Sequence, residues 1–115
     1  MNLDMIEAAA KRLDGHARCT PLLGSPFLDK IAGRRVLVKP ECLQHTGSFK
    51  FRGAWAAVSA LSDAEKSRGV IAFSSGNHAQ GVAMAARAHG STAVIIMPND
   101  APATTIENTR ALGAE

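Results

Sequence analysis

The chain has 115 residues, 46% hydrophobic and 20% charged, enough apolar surface for one small packed domain and too much for a disordered segment. Its formal charge is +3, but the Lys and Arg are scattered and the only adjacent pairs are Lys11-Arg12 and Arg34-Arg35. That argues against a nucleic-acid surface, which needs a clustered basic stripe, and leaves small anionic ligands open. Tyrosine is absent and aromatics are only 4%, so the core must come from Ala, Val, Ile and Leu, as in helices packed on a sheet. Cys19 and Cys42 are far apart in sequence, without a CxxC or a His pair, which predicts neither a disulfide framework nor a metal site. Reduced cysteines suit a cytoplasmic protein. The N-terminus carries Asp4 and Glu7 and no long apolar run, so neither a signal peptide nor a membrane segment is predicted.

In chain order, the first predicted element is a helix over residues 4–13. Asp4 is its expected cap, Glu7 completes a capping box, Ile6, Ala9, Ala10 and Leu13 form the apolar face, and Gly15 ends it. Thr20-Pro21-Leu22-Leu23 reads as extended, because a residue before proline is pushed out of the helical region. Val36-Leu37-Val38 is a short apolar strand. A helix starts near Ser48, with Ala54, Ala57, Val58 and Leu61 on one face. Ser62 and Glu65 predict a short capped helix that stops before Gly69. Val70 to Phe73 is the next strand, Asn77 to His89 an alanine-rich helix closed by Gly90, and Ala93 to Met97 a third strand. Asp100 is the expected cap of a last helix with Pro102 in its first turn, running to Leu112 with Gly113 just past it.

Apolar strands alternating with helices predict an α/β fold, an open parallel sheet with helices on both faces and right-handed crossovers. Ligands of such sheets bind beyond the carboxyl ends of the strands, which points to Glu41–Lys50 and Ser74–His78. The chain stops just after a helix, where a further strand is expected, so its end reads as a truncation.

Two stretches carry chemistry. In Thr46-Gly47-Ser48-Phe49-Lys50-Phe51-Arg52-Gly53, a lysine stands in the first turn of a helix. The positive end of the helix dipole, with desolvation by the flanking Phe49 and Phe51, favours the neutral amine that Schiff-base chemistry needs. The bland alternative is an ordinary surface lysine. In Ser74-Ser75-Gly76-Asn77-His78-Ala79-Gln80-Gly81, a turn between a buried strand and a helix offers free amides to a phosphate or carboxylate. Here the bland alternative is that Ser and Asn are caps and Gly76 a turn residue.

Both motifs resemble those of fold-type-II pyridoxal-phosphate (PLP) enzymes, in the order and spacing of the serine/threonine dehydratase branch, which includes threonine ammonia-lyases and serine racemases. Thr20-Pro21-Leu22, Lys39 to Gln44, Met97-Pro98 and Thr109 to Glu115 are similar as well, so the resemblance runs from about Thr20 to the end. It implies a tryptophan-synthase-β-like fold. Residues 1–35, a helix and an extended segment, would belong to the larger domain, and residues 36–115 would form the smaller one. Lys50 would bond the cofactor and then act as base on the substrate α-carbon. Phe49 would lie against the cofactor ring and Asn77 would bond its hydroxyl. Ser74, Ser75, Gly76, Asn77 and His78 would take the substrate carboxylate, and Ser75 would be the acid/base on the opposite face in racemases. Three features depart from the family pattern, the first being the stretch Ala101 to Asn108, which lacks a lysine that many relatives carry there. His45 stands where proline is frequent, and Cys42 where aspartate is. The family's glycine-rich phosphate loop lies further downstream and is not among these residues.

The implied activity is deamination of L-threonine or L-serine to a 2-oxo acid and ammonia, with the chain inactive on its own and the full-length enzyme a homo-oligomer that touches neither nucleic acid nor membrane. The alternatives are an amino-acid racemase, a dehydratase of another hydroxy amino acid, or a non-catalytic α/β binding module. A plain nucleotide-binding domain fits less well, because neither GxGxxG nor a Walker loop is present.

Overall fold

The computed structural model describes residues 2–115. Helix α1 (Leu3–Leu13) is capped by Asn2, whose Oδ1 accepts from the Met5 amide at 3.0 Å, so Asn2 takes the place expected of Asp4. The chain continues through β1 (Leu23–Gly24), α2 (Pro26–Ala32) and β2 (Leu37–Val38) to two 3-10 turns, Glu41–Leu43 and His45–Gly47. Then come α3 (Lys50–Ser59), α4 (Asp63–Arg68), β3 (Val70–Phe73), α5 (Asn77–Ala88), β4 (Ala93–Ile96) and α6 (Ala103–Ala111). The capping box at Ser62 and Glu65 forms as expected. At α6, Pro102 rather than Asp100 stands at the cap position.

The α/β class holds, with one change in sheet membership. Strands β3 and β4 pair in parallel, in register from Val70 with Ala93 to Phe73 with Ile96. The first expected strand, Val36-Leu37-Val38, does not join them. Its two residues, Leu37 and Val38, pair antiparallel with Leu23 and Gly24, which lie close enough in sequence to reach it without a crossover. On the far edge of β4, the Glu115 amide donates to the Ala93 carbonyl at 3.0 Å and the Ile95 amide to the Glu115 carbonyl at 2.7 Å. These two bonds follow the parallel-ladder pattern on that edge.

The core lies between this sheet and the pair α3–α5. It is built from Ala54 and Val58 of α3, Ala79, Val82, Ala83, Ala85 and Ala86 of α5, and Ala93 and Ile95 of β4. Small alanines let the two helix backbones approach closely, and each valine buried there contributes about 1.5–3 kcal/mol. The buried face of α3 is Phe51, Ala54, Trp55 and Val58, whereas Ala57 is exposed. The face is therefore rotated from the expected one, because the two large aromatics claim the interior. Trp55 lies between His16 and His89 at centroid distances of 4.4 and 4.5 Å, and its Nε1 donates to the Arg12 carbonyl at 2.8 Å, which fastens the end of α1 to α3. On the other face of the sheet Ile71, Phe73, Val94 and Ile96 are exposed. No described helix is long and apolar enough to cross a membrane.

Candidate active site

The approach to Lys50 is shaped by its backbone. Thr46 and Gly47 are both left-handed, at φ 58° and 69°. Glycine adopts that conformation freely, whereas threonine pays about 1–2 kcal/mol. The hydroxyl of Thr46 is buried and has no partner among the described residues. Ser48 then returns to extended backbone, and α3 begins at Lys50, whose amide donates to the Ser48 hydroxyl at 3.3 Å.

This strained turn is tied down from both sides. Gln44, only 2% exposed, accepts from the Arg18 amide at 2.9 Å through Oε1 and donates to the Arg18 carbonyl at 2.9 Å through Nε2. Its Oε1 also accepts from the His45 amide at 3.1 Å. The Arg52 guanidinium donates to both carboxylate oxygens of Glu41, at 2.7 and 2.8 Å, and to the Arg18 carbonyl at 3.0 Å. Thr20 donates its hydroxyl to the same carboxylate. The bonds from Arg52 are the main reason the Glu41 carboxyl titrates at about 2, below its ordinary 4.5, with those from Thr20 and Gln44 adding to the effect against a cost of burial.

Lys50 is half-buried, and its ammonium lies over the Phe49 ring at 4.8 Å from the centroid. Nζ has no hydrogen-bond acceptor and no carboxylate partner among the described residues. The expectation that both phenylalanines flank the lysine is corrected here. Phe51 turns inward, 1% exposed, edge-on to His45 at 4.8 Å, because successive helix positions point about 100° apart.

The second loop is simpler. The Ser74 amide donates to the Ile96 carbonyl at 3.0 Å and so extends the β3–β4 ladder, and the Ser74 hydroxyl accepts from the Gly76 amide at 3.2 Å. Gly76 occupies the cap of α5, and no side chain among the described residues caps that helix. The bland reading of Ser and Asn as caps therefore does not describe this turn. The amides of Ser75, Asn77 and His78 find no acceptor among the described residues. The side chains of Ser75, Asn77 and His78 are exposed. An uncapped twelve-residue helix with free amides at its start is suited to an anion.

The α3–α5 packing joins the two loops. The first turn of α3 lies against α5 one helical turn past Asn77, so the lysine turn and the amide turn occupy the same end of the helix pair. The sheet does not supply this arrangement, since β2 is not part of the parallel ladder. Sequence reasoning placed Lys50, Asn77 and the serines but gave no role to Gln44, the Glu41–Arg52 pair or the left-handed Thr46. A threonine just before Gly-Ser at a helix start was the one available local signal.

A lysine without a polar partner at one helix start thus lies at the same end of the helix pair as a turn with three free amides at another. Residues 13–115 match the family model described as "Pyridoxal-phosphate dependent enzyme", and the chain belongs to that family. It is 53% identical over 111 residues to an L-threo-3-hydroxyaspartate ammonia-lyase of Pseudomonas sp, covering 96% of this chain and 34% of that one. It is 45% identical to an L-threonine ammonia-lyase of Thermotoga maritima, covering 100% and 29%. The structure of maize serine racemase superposes with a TM-score of 0.94 at 39% identity, covering 99% of this chain and 35% of that one. The chain thus spans about a third of the length of these relatives.

Proposed function

We propose that the enzyme carrying this chain deaminates L-threonine and L-serine to the 2-oxo acid and ammonia, with PLP bonded to Lys50. The observation that supports this most directly is the unpartnered Lys50 amine at the start of α3, set beside the three free amides at the start of α5. These residues fit the cofactor's chemistry in part. They offer one amine for its aldehyde and hydrogen-bond donors for an anion, while its phosphate would be held by residues outside these 115.

The proposed roles are those the family resemblance implies for these positions. The amides of Ser75, Asn77 and His78, with the Ser74 turn behind them, hold the substrate carboxylate. The Asn77 side chain bonds the cofactor's ring hydroxyl, and Phe49 packs against the ring. Lys50 removes the α-proton. The bound cofactor supplies the electron sink for the pair left on the α-carbon. Departure of the β-hydroxyl with a proton removes water across Cα–Cβ. Hydrolysis of the C–N bond takes one water back up, so threonine gives a 2-oxo acid and ammonia and nothing is oxidised or reduced overall.

In this reading residues 1–35 contribute to a larger domain and residues 36–115 to a smaller one, and the complete enzyme is a cytoplasmic homo-oligomer. A second reading, another β-hydroxy amino acid as substrate, draws support from the 53% identity to the hydroxyaspartate ammonia-lyase. Racemisation would use the exposed Ser75 as the second acid/base. The test is to purify the full-length enzyme, reduce it with borohydride and map the phosphopyridoxyl mass. A label on Lys50 with 2-oxo acid released from threonine supports the proposal. A label elsewhere, or none, returns the domain to the binding-module reading.

A further inference from the structure

Four glycines lack a left-handed backbone: Gly24, Gly53, Gly76 and Gly81. A methyl group added to Gly53 or Gly76 would meet nothing within 4 Å, and one on Gly24 would make an ordinary contact. Gly81 differs. A methyl there would lie 3.2 Å from the carbonyl carbon and from the carbonyl oxygen of Lys50, and 3.3 Å from the Phe51 nitrogen. Glycine inside a helix weakens it. Conformational freedom does not account for this one, so the space it leaves does.

The atoms that fill this space are main chain and cannot rotate away. Helix α5 is held by buried Ala79, Val82, Ala83, Ala85 and Ala86, and α3 by buried Phe51, Ala54, Trp55 and Val58. The part able to yield is the first turn of α3, which follows the left-handed Thr46–Gly47 pair. A side chain at position 81 therefore moves Lys50, by a few tenths of an ångström, relative to the turn that starts α5.

We propose that Gly81 is a positioning residue for Lys50: by lacking a side chain it sets the distance between the lysine turn of α3 and the anion-binding turn of α5. The proposal rests on the reading of Lys50 as the base. The Ser75, Asn77 and His78 amides belong to the start of Gly81's own helix, so they keep their mutual geometry when α3 is displaced. Substrate binding should persist while proton removal suffers, since proton transfer depends steeply on the placement of the base.

The test uses the full-length enzyme as wild type, Gly81→Ala and Ala86→Gly, with rates expressed per bound cofactor. Wild type is first reduced with borohydride. An unlabelled Lys50 overturns the reading on which the proposal stands, and this is seen before either variant is measured. With Lys50 labelled, Gly81→Ala is expected to lower kcat about tenfold, with KM within about twofold of wild type. The pH midpoint of its visible band should shift. The melting temperature of its cofactor-free form should change little, because alanine strengthens the helix that the contact strains. Ala86→Gly, buried on the same helix but about 140° round it from Gly81 and away from Lys50, should lower the melting temperature and leave kcat per bound cofactor unchanged. The proposal is overturned if Gly81→Ala matches wild type in kcat and pH midpoint. It is also overturned if Gly81→Ala merely melts lower, as Ala86→Gly does, or fails to fold, since the contact would then serve the fold rather than the lysine.

Discussion

The two site loops are built on opposite principles. The stretch before Lys50 is held by side chains: Gln44 on the Arg18 backbone, Glu41 between Arg52 and Thr20, and a left-handed Thr46 locked between them. The stretch before α5 is held only by the Ser74–Ile96 backbone rung and one local bond from the Gly76 amide to the Ser74 hydroxyl, and leaves three amides unspent among the described residues. Under the proposed roles, the loop that holds the reactive amine is constrained from several directions, and the loop that receives a ligand keeps its donors free, because every internal bond would have to be broken on binding.

This contrast can be broken first at Gln44. Gln44→Ala removes three hydrogen bonds from a side chain 2% exposed and should cost about 2–3 kcal/mol of stability in the full-length enzyme. Denaturant unfolding measures it. A loss below about 0.5 kcal/mol would show that water replaces these bonds and that the loop is not clamped. The amide turn is tested by Asn77→Asp. A carboxylate there suits a helix start and should leave stability equal or higher, yet it repels the substrate carboxylate. KM for threonine should rise at least about tenfold, equivalent to about 1.4 kcal/mol. An unchanged KM would place substrate binding elsewhere.

These differences also mark what could be read in advance. Helix α4, strands β3 and β4, and helix α5 announce themselves through local chemistry: a capping box at Ser62, apolar runs, and glycines just past the ends. Helix α2 carries its own signals in Ser25-Pro26 and Gly33, but Phe27 and Ile31 remain exposed, so no buried face supports it and it passed unread. Strand β2 was legible as a strand but not in its pairing, since two residues say nothing about which partner they take. Lys50 and Asn77 draw notice in the sequence because motif and helix start coincide. The Gln44 clamp joins residues 26 positions apart through a side chain, and such a bond leaves no periodic trace. Space is equally silent, and so the role of Gly81 emerges only when α5 is laid on Lys50.

The Glu41–Arg52 pair sharpens the comparison with pH. The folded Glu41 carboxyl titrates at about 2 against an ordinary 4.5, so the unfolded chain takes up its proton first as pH falls. Its stabilisation is fully present above about 4.5 and is lost on acidification toward about 2. Both side chains are partly exposed, at 15% and 30%, which limits the pair to about 1–1.5 kcal/mol. Glu41→Gln should therefore be less stable than wild type at pH 7 by that amount, with the two curves converging as pH falls from about 4.5 toward about 2. Parallel curves over the whole range would show that Glu41 acts by packing and not by charge.

The smallest effect is expected at Thr46, and its sign is opposite. Thr46→Gly relieves a left-handed threonine, worth about 1–2 kcal/mol, and removes a buried hydroxyl with no partner. Against this, the unfolded chain gains glycine's freedom, about 0.4–1 kcal/mol. The net should be a stabilisation of about 0.5 kcal/mol, a rise of one to two degrees in melting temperature for a protein of this family's full length. The same change adds a second glycine to the turn before Lys50. If the clamp of Gln44 and Glu41 alone holds the lysine, kcat is unchanged while stability rises. If the stiffness of Thr46 itself holds it, kcat falls although the fold is firmer. The two readouts moving apart would locate the positioning of Lys50 in the strained residue rather than in the hydrogen bonds around it.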